Sequence, residues 1–224
     1  MVVLRSQKRV VIDTAGKWRQ LVLAARWGVG RSVTALAERW TTSEIPEVMA
    51  LCQSHPKTHG LRLDEGWVPA GELDLAVIGE AAGGKTLLAP LALADEPLGP
   101  TVDEALLESR PQRRGLPPPV EQAANDVFGV PAGVIGSLRW RLLQVSAAAL
   151  SEARARGCTQ ALLVLHVLRS PSAPPRLSHE QSRDVEEYLR RLSHGAASAK
   201  PGALAGPLPP HGAVAFFAGL TTPV

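Results

Sequence analysis

The chain has 224 residues, of which 45% are hydrophobic and 20% are charged, and its formal net charge is +3 at pH 7. This apolar fraction is large enough for a packed core, so a wholly disordered chain is excluded, and the length suits one domain. No apolar run reaches the ~18 residues that a membrane span needs, and the N-terminus does not resemble a signal peptide. We therefore expect a cytoplasmic protein with no membrane partner. Cys52 and Cys158 have no metal-ligand spacing around them and are expected to be buried thiols.

Positive charge is concentrated near the N-terminus. Residues 1–40 contain eight Lys or Arg and two acidic residues, which gives about +6, whereas the remaining residues sum to about −3. Such a segment favours contact with nucleic acid or with an acidic protein partner. The alternative is that these charges only keep helix faces solvated. The candidate contact residues are Arg5, Lys8, Arg9, Lys17, Arg19, Arg26 and Arg31.

The first elements along the chain are predicted to be helices. Apolar residues at helical spacing, Trp18 among them, predict an amphipathic helix over 15–27. A second helix is predicted after Ser32, and a third begins near Pro46, because proline is favourable in the first turn. We interpret the tryptophans of this region as core anchors rather than as platforms for stacking bases.

Three strands are predicted next, over residues 61–64, 73–78 and 86–94. The glycine-rich stretch 79–84 lies between the second and the third strand and predicts a hairpin with a Gly-Gly turn. Pro90 cannot donate a hydrogen bond to a central ladder, which predicts that the third strand lies at an edge or is followed by a bulge.

The second half of the chain combines helices with apolar strands. The run 161–167 is continuously apolar and predicts a strand buried on both faces, with His166 as a satisfied core histidine. The other predictions, in chain order, are a loop-rich region over 103–135, a long helix over 137–157 capped by Ser137, a helix opened by a capping box at Ser178–Gln181, a Gly/Pro-rich linker over 195–210 and a final strand over 213–220.

The hairpin region also matches the phosphate-loop pattern GxxxxGK[ST]. Its fixed positions are Gly79, Gly84, Lys85 and Thr86. In such a loop the lysine reaches the phosphates of a nucleotide and the threonine holds Mg²⁺. Pro90 argues against this interpretation, because a helix should follow the loop and proline would interrupt its first turns. We prefer the hairpin and keep a phosphate-loop nucleoside triphosphatase as the alternative.

Residues 95–101 read Asp-Glu-Pro-Leu-Gly-Pro-Thr. This run resembles the segment that follows the active-site strand in an uncharacterised bacterial family with a PD-(D/E)XK, restriction-endonuclease-like fold. In that family a Glu-x-Lys sequence stands a residue or two before the turn, and the matching positions here are Leu91 and Leu93. Similarity in the same order extends over nearly the whole chain. It includes segments 32–40, 45–48, 74–75, 138–143 and 163–166.

The resemblance implies the fold class, an α/β protein with a restriction-endonuclease-like (PD-(D/E)XK) core. In this fold a mixed β-sheet is flanked by helices, and here it would follow an N-terminal helical segment. We predict one nuclease-like domain over 1–224. Its parts would be a helical part (1–56), the core (61–193) and a linker with the final strand (195–224).

The resemblance also implies what has become of the active site. Nuclease chemistry in this fold requires an Asp and a Glu that hold Mg²⁺ and a Lys that positions the attacking water. The Asp matches Asp74, whereas the Glu and the Lys match Leu91 and Leu93. These three positions are therefore expected to be a vestigial site with neither metal ligands nor catalytic residues.

We expect a catalytically inactive, nuclease-like protein that acts as a nucleic-acid-binding or assembly subunit and needs no cofactor. Fold analogy suggests a bacterial defence or nucleic-acid-processing complex. The alternative is an enzyme, either the phosphate-loop nucleoside triphosphatase or a nuclease whose site is displaced to Asp95, Glu96 or Glu38. The sequence leaves the oligomeric state open.

Overall fold

The structure is a computed structural model that describes residues 3–5, 14–20, 32–42, 45–67, 72–109, 118–170, 174–195, 200–208 and 213–222. The strands in these residues are β1 (Val3–Arg5), β2 (Arg62–Trp67), β3 (Ala76–Ala81), β4 (Gly84–Leu93), β5 (Gln160–Val167), β6 (Leu204–Leu208) and β7 (Ala215–Leu220). The helices are α1 (Ala15–Arg19), α2 (Ser32–Thr42), α3 (Pro46–Gln53), α4 (Val102–Glu108), α5 (Pro119–Phe128), α6 (Trp140–Ala155) and α7 (Pro175–Leu192), with a 3-10 helix at Ala132–Ile135.

The strands form one seven-stranded sheet in the order β1-β2-β3-β4-β5-β7-β6. β2, β3 and β4 are an antiparallel meander, and β4, β5 and β7 are parallel to one another. β1 is parallel to β2, and β6 is antiparallel to β7. The prediction of a mixed sheet flanked by helices is therefore confirmed.

Helices cover both faces of the sheet. The larger apolar cluster contains residues of α4, α5, α6 and α7, and the smaller one contains residues of α1, α2 and α3. β4 contributes to both, because its side chains alternate between the faces. Leu91 and Leu93 belong to the larger cluster, whereas Leu88 and Ala92 belong to the smaller one.

β5 lies in the middle of the sheet, between β4 and β7. All eight of its residues are buried, as the continuous apolar run predicted. The predicted strands of the hairpin are also found, but the turn is at Ala82 and Gly83 rather than at the two glycines, because Gly84 already pairs with Ala81 as the first residue of β4.

Pro90 lies in β4, a central strand, so the predicted edge position is wrong. Backbone oxygens of Lys85 and Leu93 accept hydrogen bonds from Thr159 (2.9 Å) and Leu168 (3.1 Å) on the β5 side. The backbone N–H and C=O groups of odd-numbered β4 residues therefore point toward β5. Those of even-numbered residues, such as Pro90, point toward β3. The register places Pro90 opposite the residue that precedes β3, so its missing donor interrupts no ladder.

The region 103–135 was predicted to be loop-rich, whereas its described residues, 103–109 and 118–135, are largely helical. Thr101 and Glu104 form a capping box that begins α4, with the Thr101 backbone N–H donating to the Glu104 carboxylate at 2.7 Å. Gly129, at a φ of 67°, ends α5 in the left-handed conformation that favours glycine. Pro119, inside the region predicted to be loop-rich, is the first residue of α5, a position that proline favours.

Three other predictions are wrong, and one strand was not predicted. α6 begins at Trp140 with Arg139 as its cap, so Ser137 does not cap it. α7 begins at Pro175, which leaves Ser178 inside the helix. β6 occupies part of the predicted linker, and β1 was not predicted. Of the helix predicted over 15–27, the structure describes α1, and residues 21–27 lie outside the described residues.

The three predicted parts of the chain all contribute strands to the same sheet. β1 comes from 1–56, β2 to β5 come from 61–193, and β6 and β7 come from 195–224. Within the described part of the chain, no helix is both long and apolar enough to cross a membrane.

Candidate functional site

Asp74 lies just before β3, close to the strand that carries Leu91 and Leu93. β3 and β4 pair with Val77 opposite Leu88, and the same register extended backward places Asp74 opposite Leu91. Leu91 and Leu93 are buried, and both pack into the apolar cluster beneath α6. Asp74 thus lies three residues before the first residue of β3 that pairs with β4, at the end of the sheet toward which β4 carries Leu91 and Leu93.

A guanidinium from α6 neutralises Asp74. Arg141 Nη2 donates to Asp74 Oδ2 at 2.9 Å, and the Asp74 side chain is only 2% exposed. Arg141 Nη1 also lies 3.7 Å from Glu72 Oε2. Burial lowers the pKa of Arg141, while Glu72 and Glu96 act to raise it. Arginine stays protonated in proteins, so Asp74 has a permanent counterion.

The described surroundings of Asp74 provide too few oxygen ligands to bind a divalent cation. Mg²⁺ and Ca²⁺ need several oxygen ligands, whereas the Asp74 carboxylate is already paired and its strand neighbours are leucines. In the residues that the structure describes, no group of three or more His, Cys, Asp or Glu is arranged to hold a metal ion.

The acidic turn after β4 is held by hydrogen bonds. The Asp95 carboxylate accepts from the backbone N–H of Ser170 at 3.1 Å and from its hydroxyl. Gln181 Nε2 donates to the backbone oxygens of Ala94 (2.9 Å) and Glu96 (2.6 Å). Gln181, predicted as part of a capping box, instead ties α7 to this turn.

Glu38 is not brought to the same place. It is exposed on α2, whose buried residues pack on the sheet face opposite to that of Leu91 and Leu93. The structure therefore does not group Glu38 with the acidic turn.

A second polar cluster, which the sequence did not reveal, lies on the α2–α3 side of the sheet. His166 Nε2 lies 2.7 Å from Glu47 Oε1, and Trp40 Nε1 donates to His166 Nδ1 at 3.3 Å. Arg39 Nε and Nη2 donate to the two carboxylate oxygens of Glu47 at 2.9 and 2.8 Å. The contacts require the neutral histidine with its proton on Nε2, because Nδ1 accepts from the indole.

The pKa shifts of this cluster agree with that protonation state. Burial acts to raise the pKa of Glu47, but hydrogen bonds from Arg39 and His166 outweigh it and lower the pKa to about 2. Burial lowers the pKa of His166, and its hydrogen bond with Glu47 opposes the shift. His166 is 0% exposed, so no substrate reaches it. The prediction of a satisfied core histidine is confirmed.

The phosphate-loop residues are built into the hairpin. Gly79 lies in β3, where an added Cβ would be 2.2 Å from the Arg62 backbone oxygen, and the other three residues begin β4. Lys85 Nζ donates to the Arg156 backbone oxygen at 2.8 Å, at the C-terminal end of α6. Thr86 is fully buried, and its hydroxyl donates to Gly84 O and accepts from Gln160. The hairpin prediction is confirmed, and no helix follows Thr86 to form a phosphate cradle.

The candidate basic contacts are described only in part. Lys17 and Arg19 are exposed on α1, on either side of the buried Trp18. Arg5 is in β1, where its backbone pairs with Trp67. Lys8, Arg9, Arg26 and Arg31 lie outside the described residues.

Both cysteines are buried thiols, as predicted. Burial raises the pKa of Cys52 to about 12, and it also raises the pKa of Cys158. Since the thiolate is the reactive form, neither side chain is suited to be a nucleophile.

The fold and the site define a mixed α/β protein whose sheet-end carboxylate is paired with an arginine. A protein-family model described as a domain of unknown function, DUF6946, matches residues 11–222, and the chain belongs to this family. Neither the curated proteins nor the solved structures give a significant match to the chain.

Proposed function

We propose that the chain is a PD-(D/E)XK-like protein that has lost nuclease chemistry and acts as a nucleic-acid-binding or assembly subunit. The order of elements supports the fold assignment. α3 precedes the antiparallel strands β2, β3 and β4, and α6 then leads to β5, which is parallel to β4. This is the helix–three-strand–helix–strand order of the restriction-endonuclease-like core.

One observation carries the proposed loss of activity. Asp74 lies opposite Leu91 in the extended register of β3 and β4, and its carboxylate is paired with Arg141. Metal-assisted hydrolysis requires ligands that hold the cation and a group that positions the water. Two buried leucines supply neither, and they disfavour any charge placed beside them.

The binding part of the proposal rests on charge and on fold analogy. Lys17 and Arg19 are exposed on α1, within the N-terminal segment whose sequence carries about +6. By analogy with the fold, a cytoplasmic complex in bacterial defence or nucleic-acid processing is the proposed setting.

A cleavage assay tests this proposal. Purified protein is incubated with single- and double-stranded DNA and RNA in the presence of Mg²⁺ or Mn²⁺, and Asp74→Ala is assayed in parallel. We expect no cleavage by either protein. Cleavage that the wild type performs and Asp74→Ala does not would contradict the proposal and indicate a functional site at Asp74.

A further inference from the structure

Three segments meet at the end of the sheet where β3 turns into β4. We call this surface the turn end and define it as residues 54–62, 80–86 and 152–160. The Gly83 backbone N–H donates to Lys57 O at 2.7 Å, and Thr159 Oγ1 donates to Gly83 O at 3.2 Å. These bonds fix the three segments relative to one another.

The turn end carries a surplus of positive charge. Its sequence contains five cations and two acids. Glu152 pairs with Arg156 at 3.0 Å, and Glu80 lies opposite both Arg62 and Lys85 in the ladders of β3. The local balance is therefore +3 before any histidine is protonated. The cations are Lys57, Arg62, Lys85, Arg154 and Arg156.

Several of these cations face solvent. Lys57, Arg62 and Arg154 are exposed, whereas Lys85 is half-buried. Arg156 lies over the ring of Trp67, 4.3 Å from its centroid. Apart from each glycine and its two chain neighbours, no residue lies within 4 Å of the position that a Cβ would take at Gly60 or Gly157. The backbone between the cations is thus open to a ligand.

The charge of the turn end contrasts with that of the segments that follow. Residues 87–109 and 118–138 contain seven acidic residues and neither lysine nor arginine, whereas residues 110–117, which lie outside the described residues, contain three arginines. β4 runs for ten residues from the turn end toward Leu93, a length of roughly 30 Å. The positive surface therefore lies far from Asp74 and Leu91.

We infer that the turn end is a surface that contacts the phosphate backbone of a nucleic acid. The inference rests on the proposed function and assigns nucleic-acid contact to a surface distinct from α1. Cations on three separate segments suit a polyanion whose charges repeat along its length. An acidic protein partner fits less well, because protein interfaces need apolar anchors. Among the described residues, the exposed large hydrophobic side chains are Leu107 and Val134, and neither belongs to the turn end.

Two double variants, each of which removes two positive charges, distinguish the contribution of the turn end to binding from that of the N-terminal helix α1. Lys57→Gln/Arg154→Gln alters the turn end, and Lys17→Gln/Arg19→Gln is the matched control on α1. All four side chains are exposed, so both variants should fold, which thermal melting checks. Binding to a labelled duplex DNA is measured by fluorescence anisotropy at two salt concentrations, about 50 and about 200 mM NaCl.

We expect the turn-end variant to bind the duplex more weakly and with a smaller salt dependence. Each lost phosphate contact lowers the slope of log affinity against log salt by about 0.9, so two contacts lower it by about 1.8. For each protein, the affinity at about 50 mM NaCl is divided by the affinity at about 200 mM NaCl. This ratio should be roughly tenfold smaller for the turn-end variant than for wild type. The α1 variant should change this ratio less.

Three results would overturn the inference or the function beneath it. If the turn-end variant bound the duplex as tightly as wild type, the inference alone would be overturned, because the DNA contact would then lie on another surface. If the wild-type protein bound a polyglutamate of matched charge as tightly as it binds the duplex, the turn end would instead be a site for an acidic protein. A wild type that binds no duplex even at the lower salt would contradict the nucleic-acid part of the proposed function as well.

Discussion

The guanidinium of Arg141 lies 2.9 Å from the carboxylate of Asp74, which precedes β3 by two residues. A carboxylate with only 2% of its side chain exposed requires a positive partner. Here that partner is a side chain of α6, so the charge is balanced without a metal ion.

Removing one member of this pair should destabilise the protein more than removing both. Arg141→Met leaves the buried Asp74 carboxylate without its arginine, and we expect a loss of about 1–3 kcal/mol in the free energy of unfolding. Asp74→Leu/Arg141→Met should recover most of that loss, because apolar replacements of a buried pair are tolerated. Urea denaturation of the single and double variants measures the difference. A double variant less stable than either single variant would refute this view.

The Glu47–His166 cluster should make the protein sensitive to acid. The pKa of Glu47 is lowered to about 2 from an ordinary value of 4.5, so its stabilisation is complete above about pH 4.5 and is lost as the pH falls toward 2. The pKa of His166 is also lowered, from 6.5, so an unfolded chain takes up a proton there before the folded one does. Both groups therefore destabilise the fold as the pH falls.

Glu47→Gln provides the measurement. At neutral pH the variant should be less stable than wild type, by about 1–3 kcal/mol, because Arg39 and His166 lose a charged acceptor. The gap in unfolding free energy between the two proteins should narrow below about pH 4.5, where Glu47 of the unfolded wild-type chain takes up a proton while the folded protein keeps it ionised. A gap that stays constant down to pH 3 would show that Glu47 is not the titrating group.

Lys85 should be a structural lysine. Its ammonium bonds to a carbonyl at the C-terminal end of α6, where the helix dipole favours a cation. Lys85→Met should therefore lower stability by at most about 1 kcal/mol and leave nucleotide binding unchanged. Calorimetric titration with ATP or GTP and Mg²⁺ tests this expectation. Micromolar binding that the substitution abolishes would restore the phosphate-loop interpretation.

The N-termini of α4 and α6 offer a matched test of capping. Thr101 caps α4 and belongs to a capping box, so Thr101→Ala should cost about 1 kcal/mol. Ser137 lies three residues before α6 and is exposed, so Ser137→Ala should change stability by less than about 0.5 kcal/mol. Equal losses in thermal or urea unfolding would contradict the helix boundaries found here.

Sequence periodicity predicted the structural features that depend only on residues close together in the chain. The continuous apolar run of β5 and the glycine turn of the hairpin act over short distances, and both are present in the structure. The capping box at Thr101 is a short-range signal of the same kind, whereas the similar pattern at Ser178 lies inside α7. Which of two such patterns begins a helix depends on the flanking residues, here Pro174 and Pro175.

The contacts of the site were beyond the reach of sequence reasoning. Asp74 and Arg141 are 67 residues apart, and Glu47 and His166 are 119 apart. No periodic pattern links residues at such separations, because only the packing of helices on the sheet brings them together. The resemblance singled out Asp74 and the leucines, but it gave no indication that an arginine of α6 would pair with the carboxylate.

Titration of Mn²⁺ into the wild-type protein, followed by calorimetry and compared with Asp74→Ala, tests the loss of the metal site most directly. Arg141 already neutralises Asp74, and Leu91 offers no second carboxylate. We predict that any heat of binding is the same for both proteins. Micromolar Mn²⁺ binding that disappears in Asp74→Ala would show that the site still holds a catalytic cation and would contradict the proposed inactive protein.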